Sequence, residues 1–313
     1  MNLKPYALKL LIFLLWGCSH QPQEIIEPKS ATFEFNYNVE FTESGYLKAW
    51  IPIPQTNQHQ IVSNLSIDTE LNMYIAKDDI YRNTFIVLDG QVMAPQSVDI
   101  SYTFTRKETQ SYYDQTNEKM FAVYTAEMDL VPRDERFERI SSALSGEGEQ
   151  FGRNLYRYVL DHMDYDTSEA GWGLGDAIYA SDSAKGNCTD YHSLFNAISR
   201  THGMPARFNI GFSMDDTTEG DISDYHCWTE YHTEEKGWIP LDIIKADDSP
   251  EKVDYYGYLD ERRIMLSVGR DIRLPNGAPS DVANFSVYPY VKIDGKVSES
   301  FTTSFSFKEV IDE

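Results

Sequence analysis

Cysteine and basic residues are scarce in this chain, and each scarcity narrows the class of protein. Only 3 cysteines occur in 313 residues, which excludes a small scaffold held together by disulfides. The 27 basic residues are outnumbered by 50 acidic ones, and the formal net charge is −23. Because phosphate binding needs a basic face, we expect no nucleic-acid partner. The apolar content of 41% indicates a globular protein, long enough for two domains.

The chain also lacks an apolar run near its N-terminus that is long enough to cross a bilayer. A short apolar stretch follows two lysines and covers residues 10–16, about half of a membrane span. It ends in Leu14-Leu15-Trp16-Gly17-Cys18, which resembles a bacterial lipobox. We therefore predict a lipoprotein signal peptide over residues 1–17, a lipidated Cys18 and a polar tether over residues 18–31.

This leader predicts an exported protein. Since Ser19 supplies no inner-membrane retention signal, we expect a lipid anchor in the outer membrane, with the protein facing the periplasm. The alternative is an ordinary exported protein without lipid, because Trp16 is bulkier than the residue usual at that position.

Two periodicities divide the rest of the chain. Residues 32–110 alternate apolar and polar side chains, which predicts a β-sandwich domain. Helical patterns and further strands follow over residues 130–258 and predict a core domain of mixed helices and strands. Residues 259–313 are strand-like again, and we expect them to form a β extension that packs on this core. The predicted fold class is α+β.

A nucleophile stands at the start of an amphipathic helix. Asn187 and Asp190 resemble a capping box, so Cys188 should fall in the first helical turn. Backbone N–H groups and the positive end of the helix dipole favour a thiolate there. A glycine-rich loop just before this helix should lie over the rim of the site.

A predicted hairpin supplies the partners of the thiol. If its turn centres on Glu234, antiparallel pairing sets Trp228 opposite Pro240 and His226 opposite Asp242. Opposed residues share a face, so the imidazole and the carboxylate should be within hydrogen-bonding reach. Cys188, His226 and Asp242 then have the roles of nucleophile, base and orienting carboxylate.

The remaining cysteine, Cys227, should point to the other face of its strand. A disulfide between Cys188 and Cys227 would disable the nucleophile, so we predict two free thiols. The spacing of Cys188, His226 and Cys227 does not suit a zinc site. We therefore predict neither a bound metal nor a cofactor. His192 lies one turn after Cys188, and we expect it to be structural.

These motifs resemble the transglutaminase-like superfamily, a branch of the papain-like cysteine enzymes. The resemblance rests on the helix from Gly186, on Gly203-Met204-Pro205-Ala206-Arg207, on His226-Cys227-Trp228-Thr229-Glu230 and on Gly237-Trp238-Ile239-Pro240-Leu241-Asp242. The flanking segments, among them Asp260-Glu261-Arg262-Arg263, look like a bacterial lipoprotein subfamily with added β segments. The resemblance implies a papain-like core with an N-terminal β-sandwich and a Cys-His-Asp triad.

The expected function is cysteine-dependent acyl transfer on amide bonds, as a peptidase or amidase rather than a cross-linking transglutaminase. The substrate would be a peptide or protein, with peptidoglycan peptides among the candidates. The backbone N–H of Cys188 is one expected oxyanion donor, and Trp172 and Tyr179 are candidates for the second. The alternative is a catalytically inactive binding module of this fold at the cell envelope.

Overall fold

The structure is a computed structural model that describes residues 28–168, 170–248 and 255–311. The predicted signal peptide, Cys18 and most of the predicted tether lie outside the described residues. Within those ranges, no helix is long and apolar enough to cross a membrane. Helices and many strands occur together, so the fold class is α+β.

The N-terminal part of the described chain is built from strands. They are β1 (Ser30–Phe41), β2 (Gly45–Ile53), β3 (Gln60–Asp68), β4 (Met73–Lys77), β5 (Thr84–Val92), β6 (Gln96–Lys107) and β7 (Thr109–Gln110). Alternate residues of β1, from Phe33 to Phe41, are buried, as a period of two on a half-buried sheet predicts.

Helices then alternate with strands. These elements are α1 (Glu118–Thr125), α2 (Glu135–Ala143), α3 (Gly148–His162), β8 (Asp164–Tyr165), α4 (Ala177–Ser183), β9 (Lys185–Gly186), α5 (Cys188–Thr201), β10 (Ala206–Ser213), β11 (Glu219–Ile222), β12 (His226–Thr233), β13 (Gly237–Leu241) and α6 (Ile243–Asp248). The last part returns to strands: β14 (Tyr258–Leu259), β15 (Arg263–Val268), β16 (Ile272–Arg273), β17 (Val282–Ala283), β18 (Tyr290–Ile293), β19 (Lys296–Val297) and β20 (Phe301–Glu309).

The sandwich consists of two five-stranded sheets that bury a shared apolar cluster. Their strand orders are β11-β20-β1-β6-β3 and β19-β18-β2-β5-β4. The C-terminal strands therefore complete both sheets of the sandwich, whereas the sequence pattern predicts that residues 259–313 pack on the core. β20 pairs with β1 over nine positions, from Phe33 opposite Glu309 to Phe41 opposite Phe301. Such a contact between the chain ends leaves no local signal in the sequence.

The core sheet has the strand order β13-β12-β10-β15, and α5 packs against β12 and β10. Nearly all of α5 is buried, including the predicted apolar stripe from Tyr191 to Ile198. Because β15 belongs to this sheet, the core extends beyond the predicted boundary at residue 258. Cys188 stands at the N-terminus of α5, and His226 stands at the start of β12, against which α5 packs.

Candidate active site

Helix α5 begins at Cys188, and a capping box fixes that start. The Asn187 side chain accepts a hydrogen bond from the Thr189 N–H at 3.0 Å, while the Asp190 carboxylate accepts one from the Asn187 N–H at 3.0 Å. These two bonds satisfy backbone donors that a helix start leaves free. Cys188 is only 5% exposed, so its thiol lies in the first turn of a rigid, buried helix.

Asp190 also binds the glycine-rich loop. Its carboxylate accepts hydrogen bonds from the N–H groups of Gly173 at 2.7 Å and Gly175 at 3.0 Å. Gly175 has a φ of +65°, and a Cβ there would lie 2.7 Å from a nitrogen of Arg270. Arg270 in turn donates to the carbonyl oxygens of Gly175 and Leu174 at 3.1 and 3.0 Å. The loop before the nucleophile is thus held between a buried carboxylate and a buried guanidinium.

The His226 and Asp242 side chains meet. His226 Nε2 lies 2.7 Å from Asp242 Oδ2, and the Asp242 side chain is fully buried. Asp242 follows the last residue of β13, and its Oδ1 accepts a hydrogen bond from the Lys245 N–H at 3.1 Å. Because Nε2 donates to the carboxylate, Nδ1 of a neutral His226 is left as a proton acceptor.

The contact forms in a different register from the predicted one. Glu230, not Trp228, pairs with Pro240, and Thr233 pairs with Gly237, so the turn centres one residue later than Glu234. Gly237 has a φ of +70° and closes a three-residue turn. The pairing shifts by two residues, which keeps each side chain on its predicted face. His226 and Asp242 are therefore not directly opposite, but they remain on the same side of the hairpin.

Arg263 is the main residue of the site that the sequence interpretation left without a role. Its guanidinium is fully buried and donates to Asp242 Oδ2 and to Asp260 Oδ2, each at 2.9 Å. Burial would raise the pKa of Asp242, but the charges of His226 and Arg263 outweigh it and hold that pKa well below its usual range. The sequence contains a signal for this pair, since Asp260 and Arg263 both belong to the flanking segment Asp260-Glu261-Arg262-Arg263.

Cys227 lies closer to Cys188 than the strand pattern predicted. It does point to the opposite face from His226, but α5 packs on that face. Burial, followed by the interaction with Cys188, raises the pKa of Cys227 well above its usual value. Both cysteines are free, as predicted.

His192 is buried in the same region and makes structural contacts. Its Nε2 accepts a hydrogen bond from the Ile243 N–H at 3.1 Å, so Nδ1 carries the proton and faces Cys227 Sγ at 3.4 Å. Burial lowers the pKa of His192 to about 4, which keeps it neutral at neutral pH.

The two candidates for the second oxyanion donor differ in how exposed they are to solvent. Trp172 is 41% exposed on the glycine-rich loop, whereas the Tyr179 hydroxyl is buried and has no hydrogen-bond partner among the described residues. Neither is joined to Cys188 by a contact within the described part of the chain. Tyr225, which the sequence interpretation passed over, lies nearer: its hydroxyl accepts a hydrogen bond from Asn187 Nδ2 at 2.9 Å. Burial, and then the two cysteines, raise its pKa.

Comparison with known proteins agrees with this architecture. Residues 138–243 match the family model of the transglutaminase-like superfamily. A solved structure from Cytophaga hutchinsonii, described as a candidate cysteine protease, superposes with a TM-score of 0.64 at 11% identity and covers 92% of this chain and 93% of its own. The chain therefore carries a transglutaminase-like core, with a β-rich region completing the fold.

Two further proteins are similar to this chain. An uncharacterised protein of Haemophilus influenzae is 21% identical and aligns over 82% of this chain and 83% of its own length. The periplasmic domain of TgpA from Pseudomonas aeruginosa is 13% identical, with a TM-score of 0.39, over 70% of this chain and 90% of its own.

Proposed function

We propose that the protein is a cysteine-dependent acyl-transfer enzyme that acts on amide bonds through Cys188, His226 and Asp242. The observation that carries this proposal is the 2.7 Å contact between His226 Nε2 and the buried Asp242 carboxylate. That contact fixes the imidazole tautomer and leaves Nδ1 to act as the base. Cys188 begins α5, and α5 packs against β12, the strand that begins at His226.

The acylation half of the reaction follows from these positions. His226 Nδ1 takes the thiol proton as Cys188 Sγ attacks the amide carbonyl carbon, and a C–S bond forms. The tetrahedral intermediate collapses by breaking the C–N bond, and His226 returns the proton to the leaving amine. Asp242 stabilises the imidazolium between these two transfers. Arg263 holds the carboxylate in place as a positioning residue.

Deacylation requires a second nucleophile. His226 takes a proton from water, the hydroxyl oxygen attacks the thioester carbon, and the acid leaves as the C–S bond breaks. An amine in place of water would give transamidation. We favour hydrolysis, because water at its high concentration reacts first unless the site excludes it.

The developing oxyanion needs donors from the same region. The backbone N–H of Cys188 is the first, since it lies at the N-terminus of α5. For the second we retain Trp172 and Tyr179 as candidates and add Tyr225. The Tyr225 hydroxyl accepts from Asn187 and still has its own proton to donate.

We further propose that the enzyme is exported and lipid-anchored at Cys18, facing the periplasm from the outer membrane. Peptides or proteins there, including peptidoglycan stem peptides, would be its substrates. Cys18→Ser should release into the soluble fraction a protein that otherwise partitions with membranes. A wild-type protein found free in the periplasm would contradict the lipid anchor.

The decisive experiment separates an enzyme from an inactive binding module. The protein is incubated with a mixed library of peptides and peptidoglycan fragments and the products are read by mass spectrometry. A gain of water indicates hydrolysis, and a loss of ammonia on joining an amine indicates transamidation. Cys188→Ala should abolish either product, while the matched Cys227→Ala should retain turnover. Binding of a fragment without any product in the wild type would favour the binding module.

A further inference from the structure

Arginine side chains are buried at four positions of the described chain, and one of them has far fewer partners than the others. The four are Arg106, Arg200, Arg263 and Arg270. Arg263 binds two carboxylates, Arg200 donates to the carbonyl oxygens of Ala206 and Ala126, and Arg270 donates to two carbonyls and to Asn284.

Arg106 has a single hydrogen-bond partner among the described residues, and that partner is neutral. Its Nη2 donates to the Thr109 hydroxyl at 3.2 Å, and its buried Nε has no acceptor. Trp228 lies 5.8 Å from the guanidinium, but Arg263 sits over the same ring at 5.1 Å and repels Arg106. Burial lowers the pKa of Arg106 to about 10, so it is still charged at neutral pH.

This guanidinium lines a cavity of about 260 Å³ between the β-sandwich and the far face of the core sheet. His59 and Arg106 come from the sandwich side, while Glu230, Met265 and Val268 come from the core sheet. Clefts where two units meet are common places for small-molecule sites.

The other cation in the cavity wall, Arg207, already has carboxylate partners. Arg207 forms ion pairs with Glu230 at 2.6 Å and with Asp114 at 3.1 Å. His59 adds no charge at neutral pH, because burial lowers its pKa to about 4. Arg106 is therefore the cation in the wall for which the described residues provide no ion pair.

Glu230 attracts Arg106 but forms no ion pair with it, and the buried Nε of the guanidinium has no acceptor among the described residues. Because an unsatisfied buried donor costs free energy, this cavity has a chemical reason to hold an anion. A carboxylate matches the planar fork of a guanidinium. A dianion such as phosphate fits less well, because Asp114 and Glu230 would repel its second charge. Met265 and Val268 supply apolar wall for a short hydrocarbon body.

We propose that this interdomain cavity is a binding site for a small monocarboxylate, which pairs through its carboxyl group with Arg106. The site lies on the opposite face of the core sheet from α5. It is separate from the nucleophile and does not depend on the proposed reaction.

Butyrate is a suitable probe, with butyramide as its neutral isostere, at constant ionic strength and neutral pH. Butyrate should raise the thermal unfolding midpoint of the protein saturably, because a ligand that binds only the folded state stabilises it. Butyramide should not. Arg106→Gln should weaken the apparent affinity for butyrate by roughly 10-fold or more, since a charge-assisted pair is lost.

Two further variants control for indirect effects. Arg139→Gln removes an arginine whose side chain is 71% exposed, and it should leave the butyrate response unchanged. Val268→Phe adds volume to the cavity wall without touching Arg106, and it should weaken butyrate binding. Equal responses to butyrate and butyramide, an unaltered response in Arg106→Gln, or no saturable response in the wild type would each overturn the proposal.

If Arg106→Gln does not fold, crystals of the wild type soaked in butyrate give a direct answer. Density for the carboxylate at the Arg106 guanidinium supports the site. Butyrate bound elsewhere, with the cavity empty, refutes it.

Discussion

The sandwich and the transglutaminase-like core are filled by different kinds of side chain. The sandwich interior is aromatic and aliphatic: Phe35 stacks on Tyr102 with ring centroids 5.1 Å apart, and Phe33 stacks on Phe104 at 5.2 Å. The core instead buries ionised groups beside its apolar residues, above all Asp190, Asp242 and Arg263.

The two kinds of interior have different roles: apolar side chains stabilise the fold, and buried charged groups position the atoms of the site. Apolar burial is non-directional and stabilises a fold without fixing single atoms to within tenths of an ångström. Buried charged pairs contribute little net stability, but their hydrogen bonds have defined directions. In this molecule they hold the glycine-rich loop, the hairpin carboxylate and the nucleophile helix in one arrangement. We therefore expect that a substitution in the core and one in the sandwich, which lower the free energy of unfolding by the same amount, differ in their effect on turnover.

The largest effect should come from His226→Ala. Loss of the base should lower kcat/KM by at least ~10³-fold, because neither acylation nor deacylation retains its proton carrier. Amide hydrolysis rates measure the loss, and circular dichroism checks the fold. His232→Ala is the matched control, since it removes an imidazole from the same strand at a distance from the thiol. Comparable losses in both variants would show that β12 is merely sensitive to substitution.

Arg263→Leu and Phe35→Ala test the comparison directly. Each should lower the free energy of unfolding by about 3–5 kcal/mol, the first by removing the guanidinium that bridges Asp242 and Asp260, the second by opening a cavity. Urea unfolding measures both. At a temperature where each variant is folded, only Arg263→Leu should lose turnover, and Arg263→Lys should restore part of it. Equal turnover in Arg263→Leu and Phe35→Ala would contradict a positioning role for Arg263.

Asp242→Asn should have a smaller effect on rate than loss of the base. The amide can hold the wrong imidazole tautomer, and we expect a loss of roughly 10–10³-fold, because a thiol needs less activation than a hydroxyl. Steady-state kinetics measure it, with intact-mass analysis showing that Cys188 is unmodified. Unchanged turnover would mean that Cys188 and His226 act without a third member.

The smallest effect concerns pH. Unfolded His192 takes up a proton near pH 6.5, whereas the folded pKa is about 4. Between these values protons favour the unfolded state, so stability should fall by roughly 1–3 kcal/mol as the pH drops from 6.5 to 4. Chemical denaturation between pH 4 and 6.5 measures how steeply the free energy of unfolding depends on pH. His192→Asn should reduce this slope without abolishing it, because His59, whose folded pKa is also about 4, still contributes. Phe35→Ala in the sandwich should leave the slope unchanged. A slope that His192→Asn leaves unchanged would assign the effect to other groups.

Local physics made several features predictable from the sequence. The start of α5 at Cys188 follows from its capping residues, and the alternation in β1 follows from the pleat of a half-buried sheet. The contact between His226 and Asp242 was predictable even in the wrong register, because a two-residue slip preserves the face. The family resemblance rested on these short-range motifs, and the comparisons support it.

Other features exist only where distant segments meet. The closing of the sandwich by β20, the hold of Arg263 on Asp242, the thiol contact between Cys227 and Cys188 and the cavity around Arg106 all join residues far apart in the chain. Their partners were visible in the sequence, but their proximity was not, because strand pairing over long separations depends on how whole sheets pack. The sequence determined which groups could do chemistry, and the tertiary structure decided which of them are buried, paired and aimed at one another.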